Sequence, residues 1–227
     1  FYAYGISADL ISDCSGAGLI RVAGLKDIEK LDYANLKYKE LSEKLLVRYI
    51  AQGTLWKMGD MFQLSIELYD TKDKKVVWSD RWQESWDNLT AIKGNLSDGL
   101  LKALDTTSKV EKKVETTNTE AYEFYLKAKH KYEKRKNTDD TEIARGLLNK
   151  AIELDDNLIA AKHLLGDIYN NYDKAMEIFS LALTKSEELG DKLWIGRSLR
   201  KVGNAYYGKG NKDMALDYWE RSLAIAE

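Results

Sequence analysis

Arg197, Arg200, Lys201, Asn204 and Tyr207 recur at helical spacing opposite Val202 and Tyr206, which gathers three cations, a carboxamide and a phenol on one stripe of a helix. Guanidinium and ammonium groups beside a carboxamide suit a peptide carboxylate or an acidic side chain. Further upstream His163, Asp167 and Asn170 follow a helical spacing, and Lys129 lies one segment before them. These nine residues form the candidate partner-binding set. Catalytic sets are scarce by comparison. His130 and His163 are the only histidines and lie far apart, neither is spaced with a cysteine as zinc ligands are, and Cys14 stands alone. No nucleophile elbow supports a Ser-His-Asp or Cys-His arrangement, and the carboxylates are scattered. The expectation is a chain with no catalytic residue, no metal site and no cofactor.

Three other strings have simple readings. Ser15 to Leu19, SGAGL, follows a helical pattern and ends it rather than binding a dinucleotide. Gly208 to Lys212, GKGNK, lacks the Gly-Lys-Ser/Thr ending of a phosphate loop and reads as a turn. The run Lys127, Lys129, Lys131, Lys134, Arg135 and Lys136, with Tyr125 and Tyr132 interleaved, has the composition of a single-strand nucleic-acid binder. On a helix it spreads around the circumference, and Glu133, Asp139, Asp140 and Glu142 offset it, so a solvated helix end is expected.

Composition bounds the rest. The 227 residues are 44% apolar and 32% charged and include no proline, where average usage of about 5% would give roughly eleven. Collagen-like, mucin-like and polyproline segments are thereby excluded. Six Trp, fourteen Tyr and a net charge of -2 describe a chain able to fold. Through Asp105 there are 14 Lys and Arg against 16 Asp and Glu, and after it 21 against 21, so neither half is a basic module. A single cysteine fits a reducing, cytoplasmic setting, and no apolar run reaches the eighteen or so residues of a membrane span.

The elements that must position these groups fall into two halves. In the first, Ser7 is expected to cap a helix from Ala8 to Ser15, followed by a short strand from Leu19 to Val22, a helical turn near Asp27 to Leu31 and a helix from Tyr38 to Leu45. Strands Leu46 to Lys57 and Met61 to Tyr69 flank Gly59-Asp60, which suits a tight hairpin because Gly accepts positive φ. Phe62, Leu64, Ile66 and Leu68 alternate with Gln63, Ser65 and Glu67, so one face is buried. A third strand, Val76 to Trp82, precedes a helix from about Asn88 with Leu89, Ile92, Leu96, Leu100 and Leu104 on one stripe. Trp78 and Trp82 share a face and are expected to pack under the helices; the alternative for Trp56, Trp78, Trp82 and Trp86 is an aromatic docking patch.

This order, from YAYG through ADLIS, GLIRV, YKELSEKL and VRYIAQGTLWKMGDMFQLSIELYD to VVWSDRW and NLTAIKGNLSDGLLKAL, resembles the TolB amino-terminal-like domain over about 105 residues. The resemblance implies an α/β (α+β) domain, here lacking its first strand, that sits in bacteria between an output module and tetratricopeptide repeats. That module is typically an adenylate or guanylate cyclase, a winged-helix domain or a kinase. A sheet without its first strand exposes a ladder that invites another chain.

DTTSKVEKKVETT, Asp105 to Thr117, carries two apolar side chains and is expected to be a linker over 106–117. Beyond it, Leu199-x2-Val202-Gly203-x2-Tyr206 with Ala215-x3-Trp219 matches the tetratricopeptide spacing. Lys162-x2-Leu165-Gly166-x2-Tyr169 with Ala175-x3-Phe179 is a second copy, its turn expected to be three residues shorter. Phe124-x2-Lys127-Ala128 with Ala144-x3-Leu148 is a third, with a longer turn through KRKNTDDTE. Repeats of this family commonly end their second helix with proline. Here Asp156, Glu187 and Glu227 take that place, so extended helices are expected, above all through Ser186 and Glu188 to Gly190.

The domains expected are therefore an α/β domain at 1–105 and an all-α helical-hairpin solenoid at 118–227 of about three repeats, continuing past Glu227 as its exposed flank suggests. The resemblance implies that the first helices line a groove for a peptide or protein. It matches the carboxylate clamp of chaperone-binding members only in part, since Tyr125 and Leu164 replace polar groups and Lys129 stands where Asn is usual. Together these readings point to a non-catalytic regulatory and protein-interaction region of a larger bacterial signalling protein. The alternative readings are small-ligand or nucleotide sensing by the α/β domain and, less favoured, nucleic-acid binding. A homo-oligomer could form through the open sheet edge or the solenoid end.

Overall fold

The computed structural model describes residues 1–16, 20–105 and 116–226, and the chain divides into two compact units, Phe1–Lys109 and Val110–Glu227.

The first unit runs α1 (Tyr2–Gly16), α2 (Leu25–Glu29), α3 (Tyr38–Leu45), β1 (Tyr49–Met58), β2 (Met61–Asp70), β3 (Lys75–Ser85), a single 3-10 turn and α4 (Leu89–Ala103). The strands form an antiparallel meander in the order β1-β2-β3. Gly59 turns the first hairpin at φ +58°, and β2 alternates as its sequence demands, with Phe62, Leu64, Ile66 and Leu68 buried. Leu89, Ile92, Leu96 and Leu100 are the buried stripe of α4. Gly99 lets that helix approach the sheet, because a Cβ there would lie 2.5 Å from the Trp78 ring. Trp86 is buried edge-on to Tyr2 and Phe62, at ring distances of 4.5 and 5.7 Å.

Two expectations for this unit are corrected. The first helix begins at Tyr2, so Ser7 lies inside it and caps nothing. What anchors it is polar: Ser97 donates to the buried Asp13 carboxylate at 2.8 Å, and Lys93 lies 3.4 Å from buried Asp9. Residues one turn apart on α1 thus meet residues one turn apart on α4. The short strand is also absent among the described residues. Ile20 to Ala23 are irregular, and Leu19 lies outside the described residues. Of the four tryptophans, Trp78 and Trp82 are half-buried and Trp56 is 65% exposed on the opposite face.

The second unit contains α5 (Thr119–Glu133), α6 (Thr138–Leu154), α7 (Ile159–Ile168), α8 (Tyr172–Leu189), α9 (Lys192–Gly208) and α10 (Lys212–Ala226). These pack as three hairpins, α5 with α6, α7 with α8 and α9 with α10, each leaning on the next. Within a hairpin a glycine meets an aromatic ring. A Cβ on Gly203 would lie 2.7 Å from the Trp219 indole, and one on Gly166 would overlap Phe179. In the first hairpin Ala128, Ala144, Leu148 and Ala151 have no exposed surface.

Asparagine and aspartate punctuate the helices where proline is absent. Asn118, Asn137, Asn171 and Asp191 cap α5, α6, α8 and α9 by accepting from the third backbone N–H beyond them, and Asn211 accepts from Met214 at the start of α10. The α8 helix does run on to Leu189, where Gly190 stops it at φ +62°. The α6 helix does not run on; it ends at Leu154, where the Asp155 carboxylate accepts from the Asn157 N–H and turns the chain.

The turn lengths also differ from expectation. Tyr169–Asn171 and Lys209–Asn211 are equally long, and the second copy is shorter because α7 itself ends a turn early. The first hairpin turns within Lys134–Asn137, since TDDTE already belongs to α6. Most of the expected linker lies outside the described residues. Its end does not behave as linker, for Thr116 is buried and its hydroxyl donates to Asp155.

Candidate partner-binding face

The first helices α5, α7 and α9 are neighbours in that order. Leu199, Val202, Gly203 and Ala205 turn inward on α9, which by the helical period turns Arg200, Lys201, Asn204 and Tyr207 outward. Arg200, Asn204 and Tyr207 are exposed, while Arg197 and Lys201 are half-exposed. Each has a local partner or position. The Arg197 guanidinium sits 4.9 Å above the Trp194 ring. Lys201 reaches across to α7, where the Asp167 carboxylate accepts its ammonium at 2.6 Å. The Asn204 carboxamide oxygen accepts from the Trp219 indole N–H at 3.0 Å, and the Tyr207 ring lies 5.6 Å from the same indole. Asn170 is exposed in the turn after α7. On α5, Lys129 donates to the Tyr125 hydroxyl at 3.3 Å and is half-buried.

His163 departs from the expected set. It is buried between α7 and α9, with Nε2 2.8 Å from the Ser198 hydroxyl and its ring edge-on to Trp194 and Phe179 at 5.0 and 6.0 Å. Burial pushes the imidazole down to about 3, and Lys201, Arg197 and Arg200 push the same way, because each disfavours a second positive charge. A neutral, bonded, enclosed histidine packs the repeat interface and presents nothing to a partner. The helical spacing that suggested it could not separate an outward stripe from one covered by the next helix.

The sequence reading missed Trp194, which lies beside Arg197, and took Trp219 as a repeat position without its hydrogen bond to Asn204. The signal for Trp194 was its offset of three from Arg197. It also missed Tyr172, on whose ring a Cβ at Gly208 would fall, so Gly208 serves helix packing as well as the turn. GKGNK itself is a turn: Gly210 has φ +82°, Asn211 caps α10, and Lys209 pairs with Asp173.

Two cations of the basic run are paired with carboxylates and a third stacks on a ring. Lys127 pairs with Glu123 at 2.9 Å, Lys131 with Asp140 at 2.6 Å, and Arg135 stacks 4.0 Å over the Tyr132 ring. Among the described residues no group of three or more His, Cys, Asp or Glu gathers to hold a metal ion, and no helix is long and apolar enough to cross a membrane.

Residues 157–227 match the family model described as tetratricopeptide repeat. These residues hold α7 to α10 and eight of the nine candidate side chains. Similar solved structures include the N-terminal domain of stress-induced protein-1 (STI-1) from C.elegans, 22% identical with a TM-score of 0.42, covering 46% of this chain and 83% of that one. Two structures of MamA are also similar: one is 25% identical with a TM-score of 0.39, covering 46% of this chain and 54% of that one, the other 21% identical with a TM-score of 0.40, covering 62% and 76%. No curated protein matches the chain.

Proposed function

We propose that the helical unit binds an acidic protein or peptide segment across the outward faces of α7 and α9, as the non-catalytic regulatory and interaction region of a larger bacterial signalling protein. The match to tetratricopeptide repeats supports a protein-interaction role. The observation that carries the acidic preference is the division of labour among the three cations. Lys201 is held by Asp167, the Arg197 guanidinium lies 4.9 Å from the centre of the Trp194 ring, and Arg200 is exposed three residues on. Two guanidinium groups on one helix face suit bidentate contact with carboxylates. Asn204 and Tyr207 extend the strip with a carboxamide and a phenol for backbone and side-chain hydrogen bonds. The resemblance of the first unit to TolB amino-terminal-like domains supports a regulatory setting for this interaction.

The test is fluorescence anisotropy with labelled acidic, neutral and basic peptides. The acidic peptide binds, its affinity falls with salt, and Arg197→Glu with Arg200→Glu weakens it at least tenfold, whereas Lys201→Glu alone does less. Equal binding of the neutral peptide, or indifference to the double substitution, would overturn the reading.

A further inference from the structure

The β1 strand is the outer strand of the three-stranded meander, and its free edge can be read residue by residue. The Arg48 carbonyl accepts from the Thr71 N–H at 3.0 Å, which turns the backbone of Arg48 toward β2. At the other end Met58 pairs with Met61 around the two-residue turn, and the register between them is unbroken. Inward-facing and outward-facing residues must therefore alternate. It follows that Tyr49, Ala51, Gly53, Leu55 and Lys57 direct both N–H and C=O away from β2. No described segment hydrogen-bonds its backbone to them, and Ala51, Gly53 and Lys57 are exposed.

Edges of this length are usually blunted by charge, proline or a bulge. The opposite edge is: β3 carries Lys75, Asp80, Arg81 and Glu84, and its pairing slips at Leu68/Tyr69. In contrast β1 has one charge, Lys57, which folds back so that its ammonium lies 4.0 Å over the Trp86 ring. It therefore does not stand guard over the edge.

We propose that β1 pairs antiparallel with β1 of a second copy, about a two-fold axis at Gly53, to make one continuous sheet. Self-pairing of outward residues requires odd positions to meet odd positions, and the register centred on Gly53 is the one that uses all five. Tyr49 then faces Lys57 of the second copy, Ala51 faces Leu55, and Gly53 faces its own equivalent. Between them Ile50 meets Trp56 at a non-hydrogen-bonded pair, where side chains come closest; this covers an indole that is 65% exposed in the single chain. Gln52 meets Thr54. No charge opposes a like charge in this register, which is the self-complementarity that an isologous interface needs.

The experiment is sedimentation velocity with light scattering on the whole chain from about 1 to 300 μM, with two designed variants. Gln52→Lys with Thr54→Lys sets lysine against lysine on both sides of the axis and is expected to leave a monomer. Gln52→Lys with Thr54→Glu sets lysine against glutamate and is expected to restore the dimer. Both are checked for retained circular dichroism. Under a mild thiol oxidant Ile50→Cys with Trp56→Cys is expected to cross-link into a covalent dimer, whereas Ile50→Cys with Met58→Cys, one pair out of register, is not. A wild-type chain that stays monomeric throughout would overturn the proposal. So would a dimer indifferent to both lysine substitutions, or equal cross-linking by the two cysteine pairs.

Discussion

The Lys201 ammonium of α9 and the Asp167 carboxylate of α7 lie 2.6 Å apart, joining two successive repeats through the face proposed to bind a partner. An acidic partner therefore competes with a carboxylate already in place. Asp167→Asn removes that competitor and releases Lys201. The pair is partly exposed, so its loss should cost the fold no more than about 1 kcal/mol. The released lysine should raise affinity for the acidic peptide, by up to roughly fivefold if a similar free energy is recovered in binding. Titration calorimetry of the two proteins against one peptide checks this; unchanged or weaker binding would place the peptide away from Lys201.

Two glycines of the helical unit predict opposite signs. A methyl group on Gly203 would press on the Trp219 indole at 2.7 Å and on the Ala215 carbonyl at 3.1 Å, whereas one on Gly146 would meet nothing within 4 Å. Overpacking typically costs about 1–3 kcal/mol, and replacing an unstrained helical glycine gains about 0.5–1 kcal/mol. Gly203→Ala should accordingly melt lower than the wild type and Gly146→Ala higher, as read by thermal denaturation at 222 nm.

Gly203 was legible in the sequence because a glycine four residues after Leu199 and an aromatic four after Ala215 are local spacings with a geometric meaning. The Gly59 hairpin and the apolar stripe of α4 were legible for the same reason. The start of α1 at Tyr2 was not, since its anchor joins Asp9 and Asp13 to Lys93 and Ser97 from the far end of the unit. Nor was the fate of His163. Its neighbours in space, Ser198 and Trp194, lie on the next hairpin, and only the closing of α9 over α7 turns a polar position into an interior one. The early end of α7 belongs to the same class: a helix pattern extends past Ile168, and the Asn171 cap of α8 ends it.

That interior histidine predicts a pH signature. Its pKa is lowered from 6.5 to about 3 in the fold, so between these values the unfolded chain holds a proton that the folded one does not. Stability is then fully present above about pH 6.5 and declines as pH falls, by at most about 1.4 kcal/mol per pH unit. Urea denaturation between about pH 7 and 5.5, above the range where carboxylates titrate, isolates the effect. His163→Gln should flatten the slope of the helical unit, and an equally steep slope in that variant would contradict the assignment.

In the first unit the sensitive group is Asp70, 1% exposed and held at the turn after β2. Its carboxylate accepts from the Arg48 guanidinium at 2.6 Å and from the backbone N–H groups of Lys72 and Asp73 at 2.9 and 3.3 Å. The Arg48 hydrogen bond, opposed by burial and aided by the two backbone donors, lowers its pKa from 3.8 to about 2. A carboxylate with a depressed folded pKa stabilises above the unfolded value and loses that contribution as pH falls toward the folded one. The window is therefore pH 4 down to 2, below the one governed by His163. Arg48→Ala should be more damaging at pH 7 than Asp70→Asn, because it leaves a buried carboxylate without its cation while the amide keeps the turn donors partly satisfied. Near-ultraviolet circular dichroism of the tryptophans around the sheet, followed through an acid titration, should show Asp70→Asn already shifted at pH 7 and flat from 4 to 2. A wild-type-like acid transition in Asp70→Asn would show that another group controls it.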